Sequence, residues 1–292
     1  MPASVHITHF TDPGCPWAYS ASPDLAALQW RYGDQIEWQL VTIGLTESYE
    51  QYVARGYTPD RMAIGQLNFR RFGMPLHPMV RQRPQGTAPA CRAIVATRLL
   101  HPDREQAVFR ALQFTWHTTD ALMDTTAGIE RALTTVDGID PEAVLAASES
   151  AEVAEAYEAD RAHARTAAGT PTEAQGKSAS SDGPVRYTAP SLVLRRGDRC
   201  LEAGGFQSLP AYDVCLANLD TSLRRRPAAE QAVDAVAAFP DGLTTQEVAA
   251  IMTPDLAPLD RRRAETELLQ AAAAGTVSRT PMGDDALWRP VA

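Results

Sequence analysis

The chain has 292 residues, of which 45% are apolar and 22% are charged, a balance that supports a packed core and excludes disorder throughout. At roughly 100–200 residues per domain, this length predicts one large domain or two smaller ones. The formal net charge of -9 excludes a generally basic nucleic-acid-binding surface. The first residues lack the pattern of a signal peptide, and no apolar stretch is long enough to cross a bilayer, so we expect a cytoplasmic protein.

The first predicted unit is a strand, a turn and a helix. Residues 5–10 alternate as a strand does, and turn-forming residues follow at 11–14. Cys15 and Pro16 then open a helix, because the missing N–H of proline has no partner in a first helical turn in any case. A second capping signal at 22–24 predicts either a kinked helix or two abutting helices, ending at Gly33.

The middle of the chain predicts a second strand at 36–45 and then a mainly helical block over about residues 46–165. Residues 166–186 are rich in Ala, Gly, Ser and Thr, a composition typical of a flexible loop. Residues 191–202 predict a hairpin, and Ser208 caps a following helix. This order indicates an α/β fold in which a β-α-β unit and a β-β-α unit are separated by an insertion.

The segment 223–292 predicts a separate module, and residues 1–222 the main domain. Three helices and a hairpin in so short a stretch resemble a winged-helix module. Arg261, Arg262 and Arg263 begin the helix that reads DNA in such modules, which suggests phosphate contact. From Thr221 onward acidic residues outnumber basic ones, which favours an interaction or packing module instead.

Cys15 is the candidate for chemistry. Unpartnered N–H groups and the helix dipole at a helix start favour a thiolate, so its pKa is expected to fall below the ~8.5 of free cysteine. A buried, inert cysteine is the alternative. The other cysteines, Cys91, Cys200 and Cys215, are expected to be buried. His77, His101 and His117 lack ligand spacing and are expected on the surface or in loops, so no metal site is predicted.

Two segments carry a resemblance to a known family. Residues 12–19 (Asp-Pro-Gly-Cys-Pro-Trp-Ala-Tyr) resemble the active-site segment of DsbA-like thioredoxin-fold proteins, and residues 187–194 (Tyr-Thr-Ala-Pro-Ser-Leu-Val-Leu) resemble their cis-proline loop. The resemblance covers about residues 5–220 and implies a thioredoxin-like fold with an inserted helical subdomain. A proline taken singly is usually trans, but the resemblance implies a cis bond before Pro190. Ala189 and Pro190 would then be a substrate-binding edge for an extended thiol peptide.

The sequence departs from the redox members of this family at one position. Those members have a CxxC motif, whereas Ala18 occupies the place of the second cysteine, so Cys15 cannot close a disulfide there. The expected function is a thiol–disulfide oxidoreductase that acts through Cys15 by mixed-disulfide chemistry, with a protein or a small thiol. Pro16 and Trp17 would line the substrate groove, although packing of Trp17 in the core is an equal alternative.

Two other functions stay open at this point. One is a thiol-cofactor-dependent isomerase or transferase, since the resemblance extends to 2-hydroxychromene-2-carboxylate isomerases and kappa-type glutathione transferases, which use a serine at this helix start. The other is a non-catalytic regulatory protein that uses the winged-helix-like module. No tightly bound cofactor is expected, and a glutathione- or mycothiol-like thiol is the candidate small molecule. Expected partners are thiol or disulfide substrates and no membrane; nucleic acid binding is disfavoured, and a homodimer stays open.

Overall fold

The computed structural model describes residues 5–181 and 183–291. Strand β1 (Val5–Thr11) lies parallel to β2 (Ile36–Thr42), and two abutting helices, α1 (Pro16–Ser20) and α2 (Ser22–Tyr32), connect them. Of the two predicted alternatives, the chain forms two separate helices, each with a proline in its first turn. The second ends at Gly33, whose φ of 52° is a conformation that glycine adopts readily.

The predicted helical block follows β2. The described part of the chain has eight α-helices here: α3 (Tyr49–Ala54), α4 (Pro59–Leu67), α5 (Ala88–Leu100), α6 (Glu105–Thr118), α7 (Thr126–Leu133), α8 (Pro141–Ser148), α9 (Ala151–Ala164) and α10 (Pro171–Ala174). The last part of the predicted helical block, residues 141–164, consists of the two helices α8 and α9. Ser150 separates them, because its hydroxyl accepts a hydrogen bond from the N–H of Val153 and so caps α9.

The segment 166–186, predicted as a flexible loop, contains regular structure. Besides α10 it holds two short antiparallel strands, β3 (Ser178–Ala179) and β4 (Arg186–Tyr187). The hydroxyl of Thr172 donates to a carboxylate oxygen of Glu202 at 2.6 Å, which fastens α10 to the main sheet. Asp182 lies outside the described residues, and the mobility of this segment stays a prediction.

The predicted hairpin and terminal helix are β5 (Ser191–Arg196), β6 (Arg199–Ala203) and α11 (Leu209–Leu219). The main sheet has the order β2-β1-β5-β6, with β5 antiparallel to both β1 and β6. Apolar residues on one face pack against α2 and α11. The opposite face carries Phe10, Val41 and Val193, which form a smaller core with Cys15. The strand-to-helix turn therefore places the cysteine on this second face.

Three helices and a three-stranded sheet make up the C-terminal segment. They are α12 (Ala232–Ala237), β7 (Leu243–Thr244), α13 (Thr245–Met252), α14 (Arg261–Ala273), β8 (Val277–Met282) and β9 (Asp285–Pro290). The sheet order is β7-β9-β8, with antiparallel pairs throughout. The helices and the hairpin lie where the sequence predicts them, whereas the two-residue β7 gives no pattern to read. Thr244 and Glu247 form a capping box at the start of α13.

This C-terminal segment shares a core with the main sheet. Helix α13 packs against α2, and Leu28, Val248 and Trp288 belong to one buried cluster. At the start of this segment, the Arg226 guanidinium lies 3.3 Å from the ring centroid of Trp30. The Trp30 indole N–H also donates to the carbonyl of Pro227 at 2.8 Å. This stretch is therefore fixed to α2.

A buried ion pair joins the helical insertion to the same segment. The guanidinium of Arg110, on α6, makes two hydrogen bonds of 2.6 and 3.0 Å to the carboxylate of Glu247. It also donates to the carbonyl of Gly242, and Glu247 is fully buried. A bidentate pair held this way fixes the orientation of both elements.

Two of the three arginines predicted to contact phosphate have internal partners. Arg261 donates to the carbonyl of Gly73 at 3.0 Å and pairs with Asp285 at 3.1 Å. Arg263 donates to the carbonyl of Glu230 and to the carboxylate of Glu267. Their charges are used to hold α14 in place, which weakens the case for a DNA-reading helix.

Candidate functional site

Cys15 lies at the junction between β1 and α1. Asp12 organises this turn: its carbonyl accepts the N–H of Cys15 at 3.1 Å, and its side chain accepts the N–H of Gly14 at 2.9 Å. Cys15 is the N-cap residue, and Pro16 takes the first helical position, as predicted. Gly14 is required by close packing, because a Cβ there would lie 2.7 Å from the Trp116 ring.

The sulfur of Cys15 faces the loop that precedes β5. Its thiol donates to the carbonyl oxygen of Ala189 across 3.3 Å, and the peptide bond between Ala189 and Pro190 is cis. The structure thus brings together Cys15 and the two residues expected to form a substrate edge, 174 positions later in the chain. Cys15 is only 7% exposed and Ala189 only 8%.

The expected thiolate is not present in this arrangement. Burial raises the pKa of the Cys15 thiol to about 12, and the nearby charge of Asp12 acts in the same direction. The N–H groups of Ala18 and Trp17 lower this pKa, but burial outweighs them. The prediction of a lowered pKa is therefore wrong, because the helix start that should favour the anion is closed off from water.

Asp12, predicted only as a turn residue, also belongs to the site. Its second carboxylate oxygen accepts the N–H of Leu45 at 2.9 Å and faces the thiol of Cys91 at 3.7 Å. Burial raises the pKa of this carboxyl group, against the opposing hydrogen bonds of Leu45 and Gly14. The hydrogen bond from Gly14 to Asp12 can be predicted from the sequence, because Asp-Pro-Gly is typical of a turn. The contacts with Leu45 and Cys91 depend on the tertiary fold.

Trp17 lies at the surface beside this turn and is 41% exposed. Its ring makes edge contacts with Phe69, Phe72 and Phe206, at centroid distances of 5.1, 5.7 and 5.5 Å. Three separate parts of the chain therefore build an aromatic patch around α1. Pro16 is partly exposed next to it.

Two further expectations about single residues are wrong. Cys200 was expected to be buried and is exposed on β6, whereas Cys91 is buried and Cys215 is partly buried. His117 was expected at the surface but is 1% exposed, because α6 turns its last residues toward the Cys15 turn. Its imidazole stacks on Tyr19 with the ring centroids 4.4 Å apart.

Three features distinguish this fold from other α/β folds. They are the order of the elements, a cysteine at the start of the first helix, and a cis-proline loop opposite that cysteine. A family model described as the DSBA-like thioredoxin domain matches residues 6–186. The chain belongs to the DSBA-like thioredoxin domain family. The family resemblance predicted from residues 12–19 and 187–194 is thereby confirmed.

Solved structures with the same DSBA-like fold agree with this assignment. A candidate protein disulfide isomerase from Nitrosomonas europaea superposes with a TM-score of 0.56 at 16% identity, over 74% of this chain and 97% of its own. A candidate DsbA oxidoreductase from Streptomyces coelicolor gives 0.53 at 16%, over 77% and 93%. The cytosolic disulfide reductase DsbM from Pseudomonas aeruginosa gives 0.50 at 19%, over 74% and 100%. At these identities the likeness is one of fold.

No curated protein is similar enough to this DSBA-like chain to count as a match. In the described part of the chain, no helix combines the length and apolar character needed to span a bilayer. Within residues 5–181 and 183–291, no three His, Cys, Asp or Glu side chains are grouped in a way that could hold a metal ion.

Proposed function

We propose that this protein exchanges thiols and disulfides through Cys15, and that a substrate strand activates the sulfur. The observation that carries the proposal is the 3.3 Å contact between the Cys15 sulfur and the Ala189 carbonyl. It places a nucleophile-bearing helix start against a backbone edge that an extended peptide can join by strand addition. Trp17 and its aromatic neighbours supply apolar surface beside that edge.

Because the pKa of Cys15 is raised, the proposal includes a step in which the substrate activates the thiol. In the resting protein the thiol keeps its proton and donates it to the Ala189 carbonyl. A substrate N–H that pairs with this carbonyl displaces the thiol from its acceptor. The neutral form then loses a stabilising hydrogen bond, while the N–H groups of Ala18 and Trp17 still favour the anion. Substrate binding therefore lowers the pKa of Cys15.

The proposed exchange is balanced without an external oxidant. The Cys15 sulfur attacks one sulfur of a substrate disulfide, forms a mixed disulfide, and releases the other half as a thiol that carries the proton from Cys15. A second thiol then attacks the substrate sulfur of the mixed disulfide and regenerates the Cys15 thiol. Because Ala18 replaces the second cysteine, that thiol comes from outside the motif: a protein thiol or a glutathione- or mycothiol-like molecule, as a reducing cytoplasm supplies.

The test uses a variant with Cys200→Ser and Cys215→Ser, which removes the two accessible thiols. Iodoacetamide should modify Cys15 at pH 7.5 at least about a thousandfold more slowly than free cysteine, since a pKa of about 12 leaves very little thiolate. A peptide carrying a mixed disulfide with 2-thiopyridine should form an adduct on Cys15 faster than 2,2′-dipyridyl disulfide does, relative to their rates with free cysteine.

The same background with Cys15→Ser is the matched control and should give no adduct by mass spectrometry. If the peptide disulfide gains no rate advantage over the small disulfide, substrate activation is wrong. If neither reagent labels Cys15, thiol–disulfide exchange at this residue is wrong as well.

We also propose that residues 223–292 form a winged-helix-like module whose role is packing. Its helix and strand order supports the first part, and its shared core with α2 supports the second. The internal partners of Arg261 and Arg263 leave little charge for phosphate. Duplex DNA should therefore show no electrophoretic shift with the full chain; a shift lost on Arg262→Ala would contradict this proposal.

A further inference from the structure

Helix α1, which begins at the Cys15 turn, has only five residues, Pro16–Ser20. A helix this short has little stability of its own, so its position depends on contacts with the rest of the chain. The N–H groups of Trp17 and Ala18 lower the pKa of Cys15, and they can do so only while α1 keeps its place. A segment that holds α1 therefore also influences the sulfur.

Residues 69–77 lie over α1 and form its covering segment. Two phenylalanine rings of this segment contact the ring of Trp17, at centroid distances of 5.1 and 5.7 Å. The carbonyl of Pro75 accepts a hydrogen bond from the hydroxyl of Tyr19 at 2.8 Å. Both aromatic side chains of α1 are thus held by the covering segment.

The C-terminal segment contacts the covering segment at three points. Arg261 donates to the carbonyl of Gly73 at 3.0 Å. The hydroxyl of Thr244 donates to the sulfur of Met74 across 3.5 Å. The third point is Leu76, which meets the turn between β8 and β9. The position of the covering segment therefore depends on residues near the end of the chain.

The turn between β8 and β9 contacts the backbone of Leu76 directly. The carboxylate of Asp284 accepts the N–H of Leu76 at 2.8 Å, and the N–H of Asp284 donates to the carbonyl of Leu76 at 3.2 Å. Gly283 allows this close approach, because a Cβ there would lie 2.9 Å from the carbonyl oxygen of Leu76. Leu76 is buried in one cluster with Tyr19 and Leu287. A continuous set of contacts thus joins this turn to α1.

The hairpin of β5 and β6 has the same Gly-Asp turn without such a contact. The φ angles of Gly197 and Gly283 are 54° and 55°. A Cβ on Gly197 would meet no atom of the described residues within 4 Å, and Asp198 is exposed. Matched substitutions in the two turns therefore carry the same backbone cost and differ in their effect on Leu76.

We propose that Asp284 is a positioning residue for the Cys15 site: by holding Leu76, it keeps the covering segment on α1 and the thiol closed to small reagents. The C-terminal segment then has a role beyond packing, because it sets how readily α1 opens. If the turn releases Leu76, small reagents reach the sulfur more easily, while a substrate strand gains less from the N–H groups of α1. The effect on exchange rests on the function proposed above, whereas the effect on access to Cys15 does not.

The first experiment follows iodoacetamide modification by mass spectrometry at pH 7.5, in the background that lacks the two accessible cysteines. Only Cys15 and Cys91 remain in that background. Asp284→Ala should raise the rate at Cys15 by about 3- to 30-fold, because local opening no longer has to break the hydrogen bond of this carboxylate. Asp198→Ala is the matched control and should change the rate by less than about twofold.

Cys91 is the internal reference for opening of the whole protein, since it is fully buried in the core of the helical insertion. Its modification rate should be unchanged in Asp284→Ala. Equal acceleration at Cys15 and Cys91 would show a general loss of stability and refute the positioning role. Equal rates at Cys15 in Asp284→Ala and Asp198→Ala would refute it as well.

Gly283→Ala and Gly197→Ala form a second matched pair. Gly283→Ala should raise the modification rate of Cys15 by about tenfold or more, because its Cβ would displace the backbone of Leu76. Gly197→Ala has the same backbone strain and should raise the rate by less than about threefold. If Gly283→Ala fails to fold, the two aspartate variants still decide the outcome.

The last measurement compares the peptide that carries 2-thiopyridine with 2,2′-dipyridyl disulfide. In Asp284→Ala the rate advantage of the peptide should fall by about threefold or more, although the small disulfide reacts faster than with the natural chain. An unchanged advantage would overturn the link between Asp284 and the N–H groups of α1. If the natural chain itself shows no advantage, substrate activation is wrong, and the iodoacetamide rates still decide whether Asp284 positions α1.

Discussion

Replacing His117 with phenylalanine should remove a measurable part of the acid sensitivity of the protein. Burial lowers the pKa of His117 from 6.5 to about 3. Between pH 7.5 and pH 5, the unfolded chain therefore takes up a proton at this residue and the folded chain does not. Since the unfolded state binds more protons, the free energy of unfolding decreases as the pH falls. With an unfolded pKa of 6.5, the loss at pH 5 is about 2 kcal/mol.

The assay is urea denaturation at the two pH values, with the free energy of unfolding extrapolated to water. The natural chain should lose about 2 kcal/mol more on acidification than His117→Phe does. His77→Phe is the matched control, since His77 is exposed.

Other titrating groups do not disturb this comparison. Burial also lowers the pKa of His9 to about 4, so His9 adds its own loss of stability in acid, but equally in both proteins. Only the difference between the two pH-dependent losses reports on His117. If the natural chain and His117→Phe lose the same stability between pH 7.5 and pH 5, the ring titrates in the folded protein and its assignment as a buried neutral group is wrong.

Two stability predictions concern packing between distant segments. Glu247→Ala leaves the buried guanidinium of Arg110 unpaired and should cost about 3–5 kcal/mol in urea denaturation, whereas the double change Glu247→Met with Arg110→Met should cost less; equal costs would refute the ion-pair argument. Gly33→Ala should lower the free energy of unfolding by about 1 kcal/mol, because alanine disfavours a positive φ. No further loss is expected, since no atom of the described residues lies near the Cβ position of Gly33. Gly44→Ala should cost at least about 2 kcal/mol more, since its Cβ would overlap the Tyr157 hydroxyl; similar losses at both glycines would contradict the predicted clash.

Local sequence signals predicted most of the fold. Prolines in the first turns of α1 and α2 and the Gly33 ending each depend on backbone groups within a few residues. The hairpin of β5 and β6 depends on a turn at Gly197 in the same way. The alternation of β1 and the helical spacing of the insertion reflect which faces are buried. Such features can be read from neighbours in the sequence.

The ionisation of the site could not be read in this way. A helix start lowers a cysteine pKa and burial raises it, and for Cys15 burial is the larger effect. The burial of Cys15 arises from packing with residues such as Tyr187 and Ala189, far along the chain. The same holds for Asp12, whose raised pKa depends on enclosure by the fold. For His117, a helical position was predictable, but the side of the helix that meets Tyr19 and Arg81 was not.

The shared core of α2 and α13 has a consequence for synthesis on the ribosome. Helix α2 leaves the exit tunnel early, but the residues that cover it, in α13 and around Trp288, are translated more than 200 positions later. Its apolar side is therefore uncovered during most of translation, when nascent chains are prone to aggregate. A holdase chaperone that shields residues 22–32 until the last strands emerge would raise the yield of native protein, and slowing translation would lower it.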